Sequence, residues 1–528
     1  MKMKSKNWLR NLAILVLLSL FPAASALAQS IYASWFNTCG GTVPGIVLGA
    51  AVDDGTNVNV LGRFYGPTYQ VGTTTLTNWL ATSNLFLFQF KGSSTNPPIW
   101  AEAAITEYPV SNGRICGDFS GNIFVAGSYG GTNLIFGTTG ITNYNTDHSE
   151  DVFLARFATS GSVTWLKHIG GTAEDSLGDM ALDPAISPSG FYVTGSFLSP
   201  AFTAGGTTLT RQNPGGSDSY AAKFGLNGNL LWMSQGTYST GDYIAVDTAN
   251  NCYVGGTVSG AATFGGTSPM NQTTTNYVVK YNSAGTPVWV RGDVVLGTHL
   301  AVDNVQCLYT AGTFSNVLQV GSTTLSNNST ATIFVAKYDA SGNPLWAQQL
   351  PGLGYDGCTS VWIDRLANCW VTGYFAATNQ TPPLMNSTAV LACFDASGDL
   401  LALSQGGGSP SSTVAGMTAD AFLSNLIAFG NYATNFSFAN KYTVTNTGNA
   451  DIFASIVALA PKVATTTHGT NMVLSWPAIT ENKGFVLQAI TNFGSTNWVT
   501  VGSAANVNGQ YMITNAMTNT ARFYRLVR

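Results

Sequence analysis

Seven aspartates recur at one fixed place in this chain, Asp53, Asp118, Asp183, Asp247, Asp303, Asp364 and Asp420, and they are the first groups to test for chemistry. A set of carboxylates can hold cations or act as a general acid and base. Each one, however, follows two mostly apolar residues and opens a turn, as in AVDTANNCYVGG (245–256) and AVDNVQCLYTAG (301–312). A carboxylate in that position meets the backbone amides of its own turn, so the pattern predicts a structural cap rather than a metal site. No D-x-D-x-D-G calcium loop is present.

The other reactive groups are equally sparse in pattern. There is no HExxH, GxSxG or Walker loop, and no GxGxxG between a strand and a helix. The four histidines, His148, His168, His299 and His468, are scattered and read as solvent-facing, which leaves little material for a metal site or a triad. A sialidase-type turn, Ser-x-Asp-x-Gly-x-x-Trp, is also absent: Asp339 to Trp346 reads DASGNPLW, with Ser and Asp exchanged, and its Trp is expected to pack between sheets. The seven cysteines are odd in number and form no CxxC. Cys252, Cys307 and Cys369 sit inside strand motifs, so most are read as buried thiols, leaving room for one bridge. No cofactor and no metal are called for.

The elements that would position these groups follow from composition and repetition. Charged residues make up 9% of the 528, whereas Gly is present 58 times and 45% of residues are hydrophobic, a mixture that suits many short strands joined by tight turns around a large core. Two motifs recur: an apolar pair ending in Asp, a turn and a strand closing on Gly, then an alternating strand, a Gly turn and a strand carrying Trp, clearest as TIFVAKYDASGNPLW (332–346). We name the four strands a (ending in Asp), b (ending in Gly), c (FVAKY) and d (PLW). The seventh copy, DIFASIV (451–457), lacks its strand d, and an unpartnered Trp strand, SIYASWF (30–36), stands near the start. The two orphans complete each other. The expected fold is therefore all-β: a seven-bladed β-propeller of four-stranded blades, with the N-terminal strand closing the last blade over 29–460.

This pattern resembles the SBBP family of bacterial β-propeller repeats, D-x-x-GN-x-YVTG-x-F, a stretch with FGG, then FVAKYD-x-x-GN-x-LW. The likeness covers roughly 30–457 and departs from the pattern at Ala402, which stands in place of Trp, and at LIAFG (426–430). It implies fold and export, not an activity. After a linker at 461–471, residues 472–528 alternate as short strands and look like a fibronectin-III or Ig-like β-sandwich module, with Trp476 and Trp498 expected in its core and, as the alternative, exposed to stack on sugars.

Residues 1–28 carry a basic head (Lys2, Lys4, Lys6, Arg10), an apolar run and Ala26-Leu27-Ala28, the features of a cleaved signal peptide, so a secreted protein without a transmembrane segment is expected. Without those four cations, 17 basic residues face 25 acidic ones, and no basic block follows, which argues against a nucleic-acid partner. The leading reading is a non-enzymatic scaffold for an extracellular glycan or protein; the alternative is a polysaccharide hydrolase or lyase using carboxylates on one propeller face. Candidate ligand-binding residues come from the variable loops between strand d and the next strand a: Glu107, Arg114, Asp175, Asp242, Asp293 and Asp356, a mainly acidic mouth suited to a cation or a hydroxyl-rich ligand. The alternative for these charges is that they merely keep Gly-rich loops solvated.

Overall fold

The repeated aspartate builds the turn it opens. Asp247 accepts the backbone N–H groups of Ala249 and Asn251, both at 2.9 Å, and the Asn251 side-chain amide at 2.7 Å. The same bonds recur at Asp118, with Ser120 and Asn122, and at Asp364, with Leu366 and Asn368. Asp53, Asp183 and Asp303 cap their own turns likewise, whereas Asp420 lies outside the described residues. The turn demands a left-handed residue before its last position. Gly121 supplies it freely, but Asn250, Gln306 and Ala367 are forced into it at φ of 63°, 68° and 61°.

This computed structural model describes residues 31–527 except 40–44, 54–56, 79–82, 92–97, 119, 144, 146, 186–187, 269–275, 293, 296, 298, 353, 377–386, 407–411, 420–425, 433–435, 439–441, 445–450, 460–463, 469–470, 478–485, 491–498, 508–509 and 517–522. The proposed signal segment thus lies outside them. All the elements described are strands, and no helix among the described residues is long and apolar enough to cross a membrane. The chain divides into two compact units, one of 32–399 with 404–458 and one of 1–31, 400–403 and 459–528.

In the first unit each a–b–c–d run forms one antiparallel sheet in chain order. The fifth, for example, pairs His299–Val302, Leu308–Phe314, Thr332–Tyr338 and Pro344–Gln349. Six sheets are built this way. A seventh takes Ser412–Ala419, Leu426–Tyr432 and Asp451–Leu459 from the end of the unit and Ile31–Cys39 from its start. The strands a are neighbours in sequence around a closed cycle, with Ser412–Ala419 returning to Gly45–Val52. Side chains seal that return: Asn431 Oδ1 accepts from Val47 N at 3.1 Å, and Asn431 Nδ2 donates to Gly45 O at 2.7 Å. Phe429 and Ile452 share a core with Val47, Phe64 and Phe86 across the same seam. The unit is an all-β propeller.

Sheets are locked to their neighbours by the strand-d tryptophans. The indole N–H of Trp100, Trp165, Trp232, Trp289 and Trp346 donates to the c–d turn of the following sheet, at Thr159, Leu226, Ser283, Ala340 and Ala396, over 3.0–3.2 Å. The ring lies so close to that turn that a Cβ on Gly285 would sit 2.6 Å from Trp232, so glycine is required there by contact as well as by its φ of 80°. In the sixth sheet Ala402 occupies the Trp position, buried and without such a donor. Within sheets, Lys280 lies over the Tyr253 ring and 3.9 Å from Asp247, and Lys337 over Tyr309 and 3.7 Å from Asp303, both lysines almost fully buried.

The b–c connections carry hairpins that shield outer edges. Asn133–Phe136 pairs with Trp100–Thr106, the outer strand of the preceding sheet, and with Thr139–Thr142 it extends that sheet to six strands. Single bridges, Gly170 with Thr203 and Gly236 with Phe264, repeat the contact at the next two seams.

The second unit holds two antiparallel sheets. One has Ala464–His468, Asn471–Pro477, Gln510–Ala516 and Ala505–Val507; the other has Val499–Thr500, Val486–Ile490 and Phe523–Val527. Leu474, Trp476, Leu487 and Ile513 form one core, so Trp476 is interior, while Trp498 lies outside the described residues. The expected linker 461–471 is corrected in part: Ala464–His468 is a strand whose threonines pair with Asn471–Pro477.

Candidate functional site

The predicted loop residues separate into three environments. Glu107 is exposed in its d–a loop, where Oε2 accepts from Thr132 N at 3.2 Å. Asp175 is fully buried and ties two loops together, accepting Leu198 N and Ser199 N at 3.1 Å and Ser199 Oγ at 2.8 Å. Burial pushes its carboxyl up to about 7, against the hydrogen bonds from Ser199 that favour the ionised form. Asp356, eight residues before its repeated Asp as Asp175 is, is buried as well. These two are buried rather than members of a solvated acidic mouth: Asp175 is the first residue of strand a and Asp356 directly precedes one. Asp242 is half-buried, accepts from Thr240 Oγ1 at 2.8 Å and has its carboxyl raised by desolvation. Asp293 lies outside the described residues.

Arg114 is the residue that leads to a site, and it lies on a strand rather than in a loop. Strand a carries a β-bulge in five sheets, between Val47 and Gly49, Ser111 and Arg114, Leu177 and Asp179, Cys358 and Ser360, and Val414 and Gly416. In the other two, a–b pairing starts at Tyr243 and His299. The residues at which regular pairing resumes are all four places before the repeated Asp: Gly49, Arg114, Asp179, Tyr243, His299, Ser360 and Gly416. A bulge re-aims the side chain beside it, and here it does so at one level of the inner wall. Five consecutive positions are polar and the two flanking ones are glycine.

The polar arc is continuous from sheet to sheet. Arg114 Nε donates to Asp179 Oδ1 at 2.9 Å, with both side chains part-exposed. Asp179 also accepts Met180 N at Oδ1 and Ile244 N at Oδ2, over 2.9 and 3.2 Å. Next along, the Tyr243 and His299 rings lie 5.9 Å apart. Burial, helped by the charge of Arg114, lowers the His299 imidazole to about 3 and keeps it neutral. Asp179 is raised by desolvation, with Arg114 opposing. The signal of this arc in the sequence is the residue four places before each repeated Asp, which changes from sheet to sheet while the Asp does not.

The remaining reactive groups are framework. His168 is part-exposed, and its Nε2 lies 2.7 Å from the buried Asp151 Oδ2, which Asn145 Nδ2 also reaches at 3.1 Å. His148 stacks on Tyr108. Cys116, Cys252, Cys307, Cys358, Cys369 and Cys393 are all free thiols, and burial raises each described thiol that shifts, Cys307 included. Among the described residues no group of three or more His, Cys, Asp or Glu is placed to hold a metal ion.

The sheets and their cyclic order define a β-propeller. No family model matches the chain. It is similar to an uncharacterized WD repeat-containing protein of Acanthamoeba polyphaga mimivirus, 26% identical over 425 residues, covering 66% of this chain and 30% of that protein. Among solved structures it is similar to the Dos1 propeller, with 8% identity, a TM-score of 0.33 and coverage of 81% of this chain and 95% of that one. It is also similar to Sqt1 from Chaetomium thermophilum, with 12% identity, a TM-score of 0.36 and coverage of 82% and 100%. At these scores the propeller assignment rests on strand order and register.

Proposed function

We propose that this protein is an exported, non-enzymatic binding scaffold: a seven-bladed propeller of the SBBP type with a C-terminal fibronectin-III-like sandwich, presenting a rigid surface to an extracellular glycan or protein. The observation that carries the reading is where the repeated carboxylates go. Asp53, Asp118, Asp183, Asp247, Asp303 and Asp364 each accept hydrogen bonds from their own turn, so the most regular chemistry of the sequence serves rigidity. The loops between strand d and the next strand a and one level of the inner wall vary from blade to blade, as a scaffold that keeps its turns and changes its contacts requires. A glycan array run beside a panel of hydrolase and lyase substrates tests this. Retention of a ligand without turnover is expected; turnover of any polymer in the panel contradicts it. Export is tested by the mass of the mature N-terminus, expected at Gln29.

A further inference from the structure

We propose that the inner-wall arc is a binding site for a monoanionic carboxylate, received by the Nη edge of Arg114 and flanked by Tyr243, His299 and Ser360. This deepens the scaffold reading and rests on it.

Asp179, the carboxylate at this level of the arc, already accepts from Arg114 Nε, Met180 N and Ile244 N. Arg114 spends Nε on Asp179 and Nη1 on its neighbour Gly113 O at 3.2 Å, and Nη2 has no partner among the described residues. The side chains of Tyr243, His299 and Ser360 likewise have no hydrogen-bond partner among the described residues, and all three are half-buried. The arc is therefore rich in unspent donors and its acceptor is occupied, which is the composition of a site for an anionic oxygen.

Charge selects the kind of anion. Arg114 is balanced by Asp179, and His299 is neutral, so the wall has no surplus of positive charge to hold a doubly charged phosphate, and Asp242 stands next to Tyr243 on the same strand edge. A single negative charge on two coplanar oxygens fits one guanidinium edge. Geometry supplies the rest. Asp179 Oδ1 and Gly113 O hold the guanidinium through Nε and Nη1, which fixes its plane and leaves Nη2 and the second N–H of Nη1 open, and each of these residues stands four places before its repeated Asp, at one level of the wall. Asp179 is thus a positioning residue and Arg114 the binding one.

Galacturonate and galactose differ only in carrying a carboxylate or a hydroxymethyl group, and titration calorimetry of the mature chain with each is the test. Saturable binding of galacturonate and none of galactose is expected, with Arg114→Gln weakening galacturonate at least about tenfold. Because R114Q also strips Asp179 of its partner and can loosen the fold, Tyr243→Phe, which removes one hydroxyl and keeps the ring, is the second variant. It is expected to weaken binding about two- to fivefold with an unchanged melting temperature. Equal binding of galactose, absent binding of galacturonate, or unchanged affinity in both variants overturns the assignment. If the array finds another ligand while galacturonate fails, the site is refuted and the scaffold stands; polymer turnover refutes the scaffold itself.

Discussion

Replacing Asp303 by Ala tests in one residue whether the repeated carboxylate is structural. Asp303 is 4% exposed, accepts Val305 N at 3.0 Å, Cys307 N at 2.8 Å and Tyr309 Oη at 3.2 Å, and lies 3.7 Å from the Lys337 ammonium. Its loss leaves two turn amides and a phenol unpaired. It also leaves a buried ammonium whose remaining contacts are Ala396 O and the Tyr309 ring. Hydrogen bonds to a charged acceptor are worth about 1.5–3 kcal/mol each, and orphaning a buried ion costs about 3–5 kcal/mol. Because these terms overlap, D303A should lose about 4 kcal/mol in urea unfolding. D303A/K337M should recover a substantial part, since the orphaned charge is gone. A D303A loss under about 1 kcal/mol, or strict additivity of the two single substitutions, would refute the capping role. A chelator that destabilised the wild type as much as D303A does would restore the metal reading.

Trp289→Phe keeps a ring but removes the donor to Ala340 O, so it should cost about 1 kcal/mol in urea unfolding, more than Trp→Phe in an isolated sheet would predict. Ala367→Gly relieves a left-handed alanine and should raise stability by about 1 kcal/mol, readable as a higher urea midpoint. The His299 imidazole titrates near 3 when folded and near its ordinary 6.5 when unfolded. Unfolding therefore takes up a proton between those values, and this group's share of stability, complete above pH 6.5, falls by up to about 1.4 kcal/mol per unit as pH drops. The raised carboxyl of Asp175 acts in the opposite sense between about 4 and 7, so the effect is read as the difference between wild type and His299→Asn.

Much of the frame was legible because a repeat states its rule many times. The Asp turn has a local cause, seen as the 2.7 Å bond from Asn251 to Asp247, and the Trp of strand d recurs because the same bond to the following sheet recurs, at 3.0–3.2 Å; the Gly expected to close strand b instead lies inside it, as Gly127 does in Ile123–Tyr129. The strand order around the ring followed from two orphan segments that only a closed sheet accommodates. What was not legible depended on neighbours far apart in sequence. The hairpin at Asn133–Thr142 carries no motif that assigns it to the edge of Trp100–Thr106, where it pairs. Asp175 and Asp356 read as loop acids because burial where a strand begins is decided by the adjoining sheet. The meeting of Arg114 with Asp179, 65 positions apart, depends on bulges that carry no motif.

Closure of the ring by the N-terminal strand is what makes the seven sheets one propeller. Amide hydrogen exchange across Leu426–Tyr432 and Asp451–Leu459, compared between a chain beginning at Gln29 and one beginning at Gly45, measures that closure where Ile31–Cys39 completes the seventh sheet. The account predicts that protection of Asp451–Leu459 collapses in the shorter chain and that the propeller melts at a markedly lower temperature. Equal protection and equal melting in the two chains would contradict it.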